Sequence, residues 1–158
     1  MKRISGIAAI VALAFVLTAA AQQKAPNTRA EVQGFVREFF KTMNEADVSA
    51  LVEMYARVPE VASISDGEIS RGWEAIRADA DSLLGKQGTY RVDVGSTDVV
   101  ALGTTHAIAF AGATITMRGA QGPEQLRGAF TLVLKRTPGG WKVLHEHVST
   151  QGTEEGGD

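Results

Sequence analysis

The sequence contains no cysteine and only four prolines, and aromatic residues make up 6% of its 158 positions. Without cysteine the chain can form no disulfide, thiolate metal site or thiol nucleophile. Its 16 basic residues are balanced by 18 acidic ones and form no block, which argues against binding of nucleic acid through phosphate contacts. With 44% hydrophobic residues, the chain is nevertheless rich enough in apolar side chains to fold as one globular domain.

The N-terminal segment has the three parts of a secretory signal peptide. A positively charged start precedes an apolar run at 7–17, and Ala19 and Ala21 form an A-x-A cleavage site. The run is 11 residues long, whereas a membrane-spanning helix needs about 20. We therefore predict that residues 1–21 are a signal peptide and that 22–27 are a flexible lead-in. The mature protein is then exported to the periplasm or the medium, with no attachment to the membrane after cleavage.

Three segments have the apolar spacing of amphipathic helices. The first begins at Thr28, which is followed three residues later by Glu31 in the form of a capping box. Its apolar residues recur at helical spacing and form an aromatic-rich stripe: Val32, Phe35, Val36, Phe39, Phe40 and Met43. Asp47 can cap a second, shorter helix, and Trp73 opens a third that ends near Gly85.

Strand signals begin with a short candidate at 61–66, which ends in the turn dipeptide Asp66-Gly67. From Thr89 onward, helical spacing gives way to alternation between turn-rich separators. The further strand candidates cover residues 90–94, 99–102, 106–117, 125–136 and 141–150. Their short connections predict an antiparallel meander.

Helices that precede a run of strands predict an α+β domain, here over residues 28–151. We expect a curved antiparallel sheet wrapped around the long first helix, with three helices in all and a cavity between the helices and the sheet. The acidic, glycine-rich residues 152–158 are predicted to be a disordered tail.

Four short strings resemble the SnoaL-like and ketosteroid isomerase-like branch of the nuclear transport factor 2-like superfamily. They are Asp47-x-x-x-Leu51-x-x-x-Tyr55, Asp66-Gly67, Arg71-Gly72-Trp73-Glu74-Ala75-Ile76, and Gly140-Trp141-Lys142-Val143-Leu144-His145-Glu146-His147-Val148-Ser149. The resemblance spans nearly all of the predicted mature chain. It implies a cone-shaped sheet, a pocket at the open end and frequent dimers, but the fold hosts many unrelated activities.

Steroid isomerase chemistry is not supported by the residues at the positions that the resemblance assigns to it. These enzymes use a carboxylate base, and a tyrosine and a protonated aspartate that stabilise the oxyanion. In this sequence the base position holds Ser63, the tyrosine position holds Phe39 and the aspartate position holds Thr131. None of these residues carries the required group. Asp66 lies three residues from Ser63 and could replace the missing base only if the strand register slips.

His145 and His147 are two residues apart on the last predicted strand, so they share a face, as imidazole metal ligands often do. His106 could supply a third ligand, but no Asp or Glu lies at a clear third-ligand spacing. We therefore predict no metal and no cofactor, and assign the histidines to hydrogen bonds in the sheet or to a subunit contact.

Strict alternation along the last strand groups Trp141 and Val143 with these histidines on one face and places Glu146 on the other face. The resemblance implies that the Glu146 face lines the pocket, where burial would raise the pKa of the carboxyl group and suit it to acid–base chemistry. The alternative is an exposed carboxylate paired with Lys or Arg. Tyr55 and Trp73 each end an apolar stripe with a polar group and are further pocket candidates.

These observations predict a homodimeric domain that binds a small, partly apolar molecule. The candidate ligand-binding residues are Tyr55, Trp73, His145, Glu146 and His147. Two alternatives stay open. One is a cofactor-independent isomerase, cyclase or dehydratase that uses Glu146 or Asp66 as its acid–base group. The other is an assembly module that binds no ligand.

Overall fold

The computed structural model describes residues 27–85, 90–119 and 122–152. The predicted signal peptide, most of the lead-in and residues 153–158 of the predicted tail lie outside these ranges. The elements are α1 (Thr28–Asn44), α2 (Val48–Glu53), β1 (Ala62–Ser65), β2 (Glu68–Arg71), α3 (Trp73–Leu84), β3 (Tyr90–Val94), β4 (Asp98–Leu102), β5 (His106–Gly119), β6 (Gly122–Thr137) and β7 (Gly140–Gly152). No helix in the described ranges is long and apolar enough to cross a membrane.

The aromatic stripe of α1 forms the centre of the core, as its spacing predicts. Phe39 is fully buried, and its ring packs against Phe40 and Tyr55 with centroids 5.3 and 5.7 Å apart. The helix cap differs by one residue from the prediction. Asn27, rather than Thr28, accepts a hydrogen bond at its side-chain oxygen from the amide of Ala30, because Thr28 is already helical.

The seven strands form one curved, open sheet in the order β2-β1-β7-β6-β5-β3, with β4 also paired to β5. The α+β class with three helices is confirmed. The sheet is mixed rather than wholly antiparallel, because β1 runs parallel to β7, with Ser63 opposite Glu146. Parallel pairing requires a long crossover, and the chain from β1 to β7 supplies it by passing through all the other strands.

The edge of the sheet beside β5 departs from the predicted meander. β3 and β4 do not lie side by side; they pair in succession with the two ends of β5, which makes them one interrupted edge strand. Asn44, at the end of α1, binds both backbone groups of Val92 in β3, with distances of 2.7 and 2.8 Å. These bonds use backbone groups that an edge strand would otherwise expose.

The β1–β2 hairpin is closed by the predicted Asp66-Gly67 turn. Both residues have positive φ, 49° and 95°, which is the backbone of a type I′ turn and suits the twist of the flanking strands. The Asp66 carboxylate also accepts hydrogen bonds from the amide and hydroxyl of Thr150, at 2.8 and 2.9 Å. The turn is thereby attached to the end of β7.

Phe39→Ala is expected to destabilise the protein by about 3–5 kcal/mol, because it leaves a cavity where α1 meets the sheet. The measurement is urea unfolding followed by circular dichroism. Phe35→Ala is the matched control on the same helix, and its half-buried ring should cost about 1–2 kcal/mol. Equal losses in the two variants would contradict this account of the core.

Candidate functional site

A cavity of about 440 Å³ lies between the inner face of the sheet and the helices. Its wall is mostly apolar, with aromatic rings from Phe40 and Phe130, whose centroids are 4.5 Å apart. The polar side chains that line it come from Tyr55, Ser63, Ser65, Glu68, Ser70, Asp79, Ser82, Tyr90 and Glu146. Most of the wall therefore favours an apolar ligand, and a few polar groups are available to orient one.

The buried polar centre of this wall consists of Glu146, Tyr55 and Ser63. The Tyr55 hydroxyl and the Ser63 hydroxyl both donate to Oε2 of Glu146, the second over 3.2 Å. Glu146 and Tyr55 are only 5% and 4% exposed. A carboxylate removed from water in this way needs such donors, because an unpaired buried charge is very costly.

Strand pairing explains why three residues so distant in sequence meet. Ser63 lies directly opposite Glu146 in the parallel β1–β7 ladder, and opposite positions project to the same face. Just before β1, the chain also contacts β7 through an isolated bridge between Tyr55 and Val143. The amide of Ala56 donates to the Val143 carbonyl over 2.8 Å, which positions the Tyr55 ring beside the cavity.

Burial determines the electrostatics of the site. It raises the pKa of the Glu146 carboxyl group, while the hydrogen bonds from Tyr55 and Ser63 oppose that rise. Burial and the nearby Glu146 charge raise the pKa of Tyr55 well above its ordinary value. Burial, then the charges of Glu146 and Asp66, raise the pKa of Tyr90 to about 12. Both tyrosines are therefore hydrogen-bond donors at neutral pH.

A β-bulge in β7 decides which of its side chains lie on the inner face of the sheet. Leu134 pairs with Val143 and Val133 pairs with His145, so Leu144 is an extra residue in the ladder. Trp141 and Val143 consequently lie on the buried inner face together with Glu146. The strict alternation assumed in the sequence analysis, which grouped them with the histidines, was wrong at this point.

The bulge leaves both histidines of β7 on the outer face. His145 and His147 are not among the described residues that line the cavity. His145 lies opposite Ala62 and Val133 in the ladders, and His147 lies opposite Ile64 and Thr131. No group of three or more His, Asp or Glu side chains that could hold a metal ion occurs in the described ranges.

The remaining candidates have structural roles. Trp73 donates from its indole nitrogen to the Val52 carbonyl over 2.9 Å and lies under the Arg57 guanidinium, so it joins α3 to α2. Asp66 closes the hairpin turn and does not belong to the described cavity wall. A direct role in ligand binding for Trp73, His145 and His147 stays a prediction.

The three positions that the resemblance associates with isomerase chemistry are separated in the structure. Phe39 is part of the closed core, and Ser63 contributes a hydroxyl donor to Glu146. Thr131 lies opposite His147 and therefore faces outward. No set of base and oxyanion donors is assembled at these positions.

Sequence reasoning missed Tyr90, Phe40 and Phe130 as cavity residues. Tyr90 begins β3 and alternates in phase with Val92 and Val94, and this apolar phase of the strand is the signal in the sequence that could have indicated Tyr90 as a cavity residue. Phe40 belongs to the predicted apolar stripe of α1, and nothing local indicates that this part of the stripe faces a cavity rather than the closed core.

Comparison with known proteins agrees with this geometry. A family model described as a SnoaL-like domain matches residues 32–152. No curated protein matches the chain.

Solved structures of the same fold include a ketosteroid isomerase-like protein from Erwinia carotovora atroseptica, with 14% identity, a TM-score of 0.67 and coverage of 81% of this chain and 99% of that one. An NTF2-like protein with a cystatin-like fold from Novosphingobium aromaticivorans has 18% identity, a TM-score of 0.63 and coverage of 81% and 82%. An NTF2-like protein of unknown function from Shewanella oneidensis has 16% identity, a TM-score of 0.63 and coverage of 76% and 97%. At these identities the likeness shows the fold alone.

Glu146→Gln is expected to flatten the pH dependence of stability. The folded-state pKa of Glu146 lies above its unfolded value near 4.5, so the folded chain holds this proton more tightly. Its stabilising effect is complete below pH 4.5 and is lost as pH rises through the folded-state pKa. The free energy of unfolding falls over this pH range by about 1.4 kcal/mol for each tenfold difference in proton affinity between the folded and unfolded chains.

Urea unfolding at several pH values between 4 and 8 measures this effect as the difference between wild type and variant. Glu60→Gln, which removes an exposed carboxylate, should leave the wild-type profile unchanged. Tyr55→Phe is a second test. It removes the hydrogen bond that lowers the Glu146 pKa, so an NMR titration of the carboxyl group should show a higher pKa in this variant. Parallel profiles for wild type and Glu146→Gln would contradict the described burial of Glu146.

Proposed function

The chain belongs to the SnoaL-like domain family, and we propose that it is an exported domain that binds a small, partly apolar molecule in its cavity. A volume of about 440 Å³ is in the usual range for small-molecule sites. The proposal of export rests on the signal-peptide pattern at residues 1–21.

The observation that carries the binding proposal is the buried carboxylate of Glu146. Burying a carboxyl group costs stability, and an apolar side chain would close the wall more favourably. Glu146 is instead supported by two hydroxyl donors and borders an otherwise apolar cavity. Such an arrangement is better explained by contact with a bound molecule than by packing.

The same group supports a second candidate, a cofactor-independent isomerase, cyclase or dehydratase. A carboxyl group whose pKa is raised by burial can donate or accept a proton near neutral pH. Tyr55 would then position the carboxyl group through its hydrogen bond. Ligand-dependent hydrogen exchange that is lost in Glu146→Gln would favour this candidate over simple binding.

We also propose that a second copy of the chain covers the outer face of the sheet. Val100, Leu102 and Phe110 are 47%, 49% and 41% exposed there. Val100 lies opposite Ile108, and Phe110 lies between Thr131 of β6 and Asp98 of the edge strand β4. The apolar group on this face therefore has an acidic side chain only beside Phe110, at the edge of the sheet. An apolar surface can meet a copy of itself across a two-fold axis when its charged groups stay at the margin of the contact. A domain that only assembles and binds no ligand would explain the structure less well, because the described side chains do not fill the cavity.

Ala113→Phe is expected to weaken ligand binding by filling the cavity from β5. Titration with prodan, a neutral fluorescent naphthyl ketone, should give a Kd of about 1–100 μM for wild type and at least about tenfold weaker binding for the variant. Ala50→Phe adds the same ring on the exposed surface of α2 and should bind prodan like wild type. Equal affinity of wild type and Ala113→Phe would argue against the cavity as the binding site.

Phe110→Glu is expected to convert the dimer into a monomer, because the two glutamates would be buried close together at the two-fold interface. Size-exclusion chromatography with light scattering at micromolar concentration measures the mass. Ala50→Glu adds the same charge away from this face and should stay dimeric. A monomeric wild-type protein under these conditions would refute the dimer.

A further inference from the structure

The charged groups of the cavity are all of one sign. Glu146 lies in the wall, and Glu68 and Asp79 lie at its exposed margin. The described residues that line the cavity include no Lys, Arg or His. The side chains of His145 and His147 project to the opposite face of the sheet.

The hydrogen bonds of Glu146 leave one oxygen for a ligand. Both protein donors, the hydroxyls of Tyr55 and Ser63, act on Oε2. No donor to Oε1 is found among the described residues, and none of their fully buried side-chain oxygens lacks a partner. Oε1 is therefore open to the cavity and is the acceptor that a ligand would meet.

From these observations we infer that the cavity selects ligands that carry a protonated amine on an apolar body, with the ammonium group donating to Oε1 of Glu146. The inference rests on the proposed binding function and names the class of its ligand. The rings of Phe40 and Phe130 form part of the apolar wall, and aromatic faces attract a cation as well as an apolar body.

Anionic and neutral ligands fit the site less well. An anion would enter a low-dielectric cavity beside a carboxylate and meet no cationic side chain among the described lining residues. A neutral carbonyl compound would accept a hydrogen bond only from protonated Glu146, the form that burial favours, and would gain no charge-assisted bond. An ammonium brings the opposite charge into the cavity and so favours the ionised carboxylate. The hydrogen bonds from Tyr55 and Ser63 also stabilise that form, whereas burial opposes it by raising the Glu146 pKa.

The test compares four probes of nearly the same shape on the full-length mature protein at pH 7.5 by isothermal titration calorimetry. They are 3-phenylpropylamine, 3-phenylpropan-1-ol, 4-phenylbutan-2-one and 3-phenylpropanoate. We expect the amine to bind about tenfold or more tightly than the alcohol, because a charge-assisted hydrogen bond is stronger than a neutral one. The propanoate should bind more weakly than the alcohol.

Glu146→Gln should bring the amine to within about threefold of the alcohol, while the alcohol still binds. Glu60→Gln removes an equal charge from an exposed side chain that is not part of the described cavity wall, and should keep the wild-type ranking. The ranking on wild type tests the inference even if Glu146→Gln does not fold.

Alcohol or ketone binding that equals or exceeds amine binding would overturn the inference and leave the proposed binding function intact. An amine preference that persists in folded Glu146→Gln would also overturn it. If prodan and all four probes fail to bind, the proposed function fails and this inference fails with it.

Discussion

The parallel pairing of β1 with β7 is the interaction on which the candidate site depends. It brings Ser63 beside Glu146 across 83 positions of sequence, and the adjoining contact of the chain with Val143 brings Tyr55 to the same carboxylate. Without this pairing, Glu146 would lose both donors and would be a buried charge with no compensation. The ladder between β1 and β7 thus also supplies the hydrogen bonds that the buried carboxyl group of Glu146 needs.

The core and the cavity are two parts of one packing arrangement. The ring of Phe39 is fully buried and packs against Phe40 and Tyr55. The neighbouring Phe40 packs against Phe130 and also borders the cavity. Adjacent positions of the apolar stripe of α1 therefore contribute to both the closed core and the cavity wall.

The two faces of the central strands differ in their electrostatic character. The inner face carries Glu146, and the described wall of the cavity has no cationic side chain to balance it. On the outer face, Val100, Ile108 and Phe110 form an apolar group, with the acidic Asp98 beside Phe110 on the edge strand. The inner face thus suits the proposed small cationic ligand, whereas the apolar group of the outer face suits the proposed second copy.

Much of the architecture could be predicted because its signals are local. The stripe of α1, the cap at Asp47, the Asp66-Gly67 turn and the alternation in the long strands each depend on residues within a few positions of one another. The apolar stripe that ends at Tyr55 made that residue a pocket candidate, whereas Glu146 became one through the family resemblance. Strict alternation grouped Trp141 and Val143 with the wrong face.

Periodicity along the chain is enough to predict the α+β class, the order of the main elements and the amphipathic stripe that the sheet covers. It does not show that β1 runs parallel to β7, that Leu144 is an extra residue in the ladder, or that Asn44 closes the edge at Val92, which are visible only in the fold. Each of these depends on the register between segments that are far apart in sequence. Register is determined by the combined packing of many side chains, which no local pattern encodes.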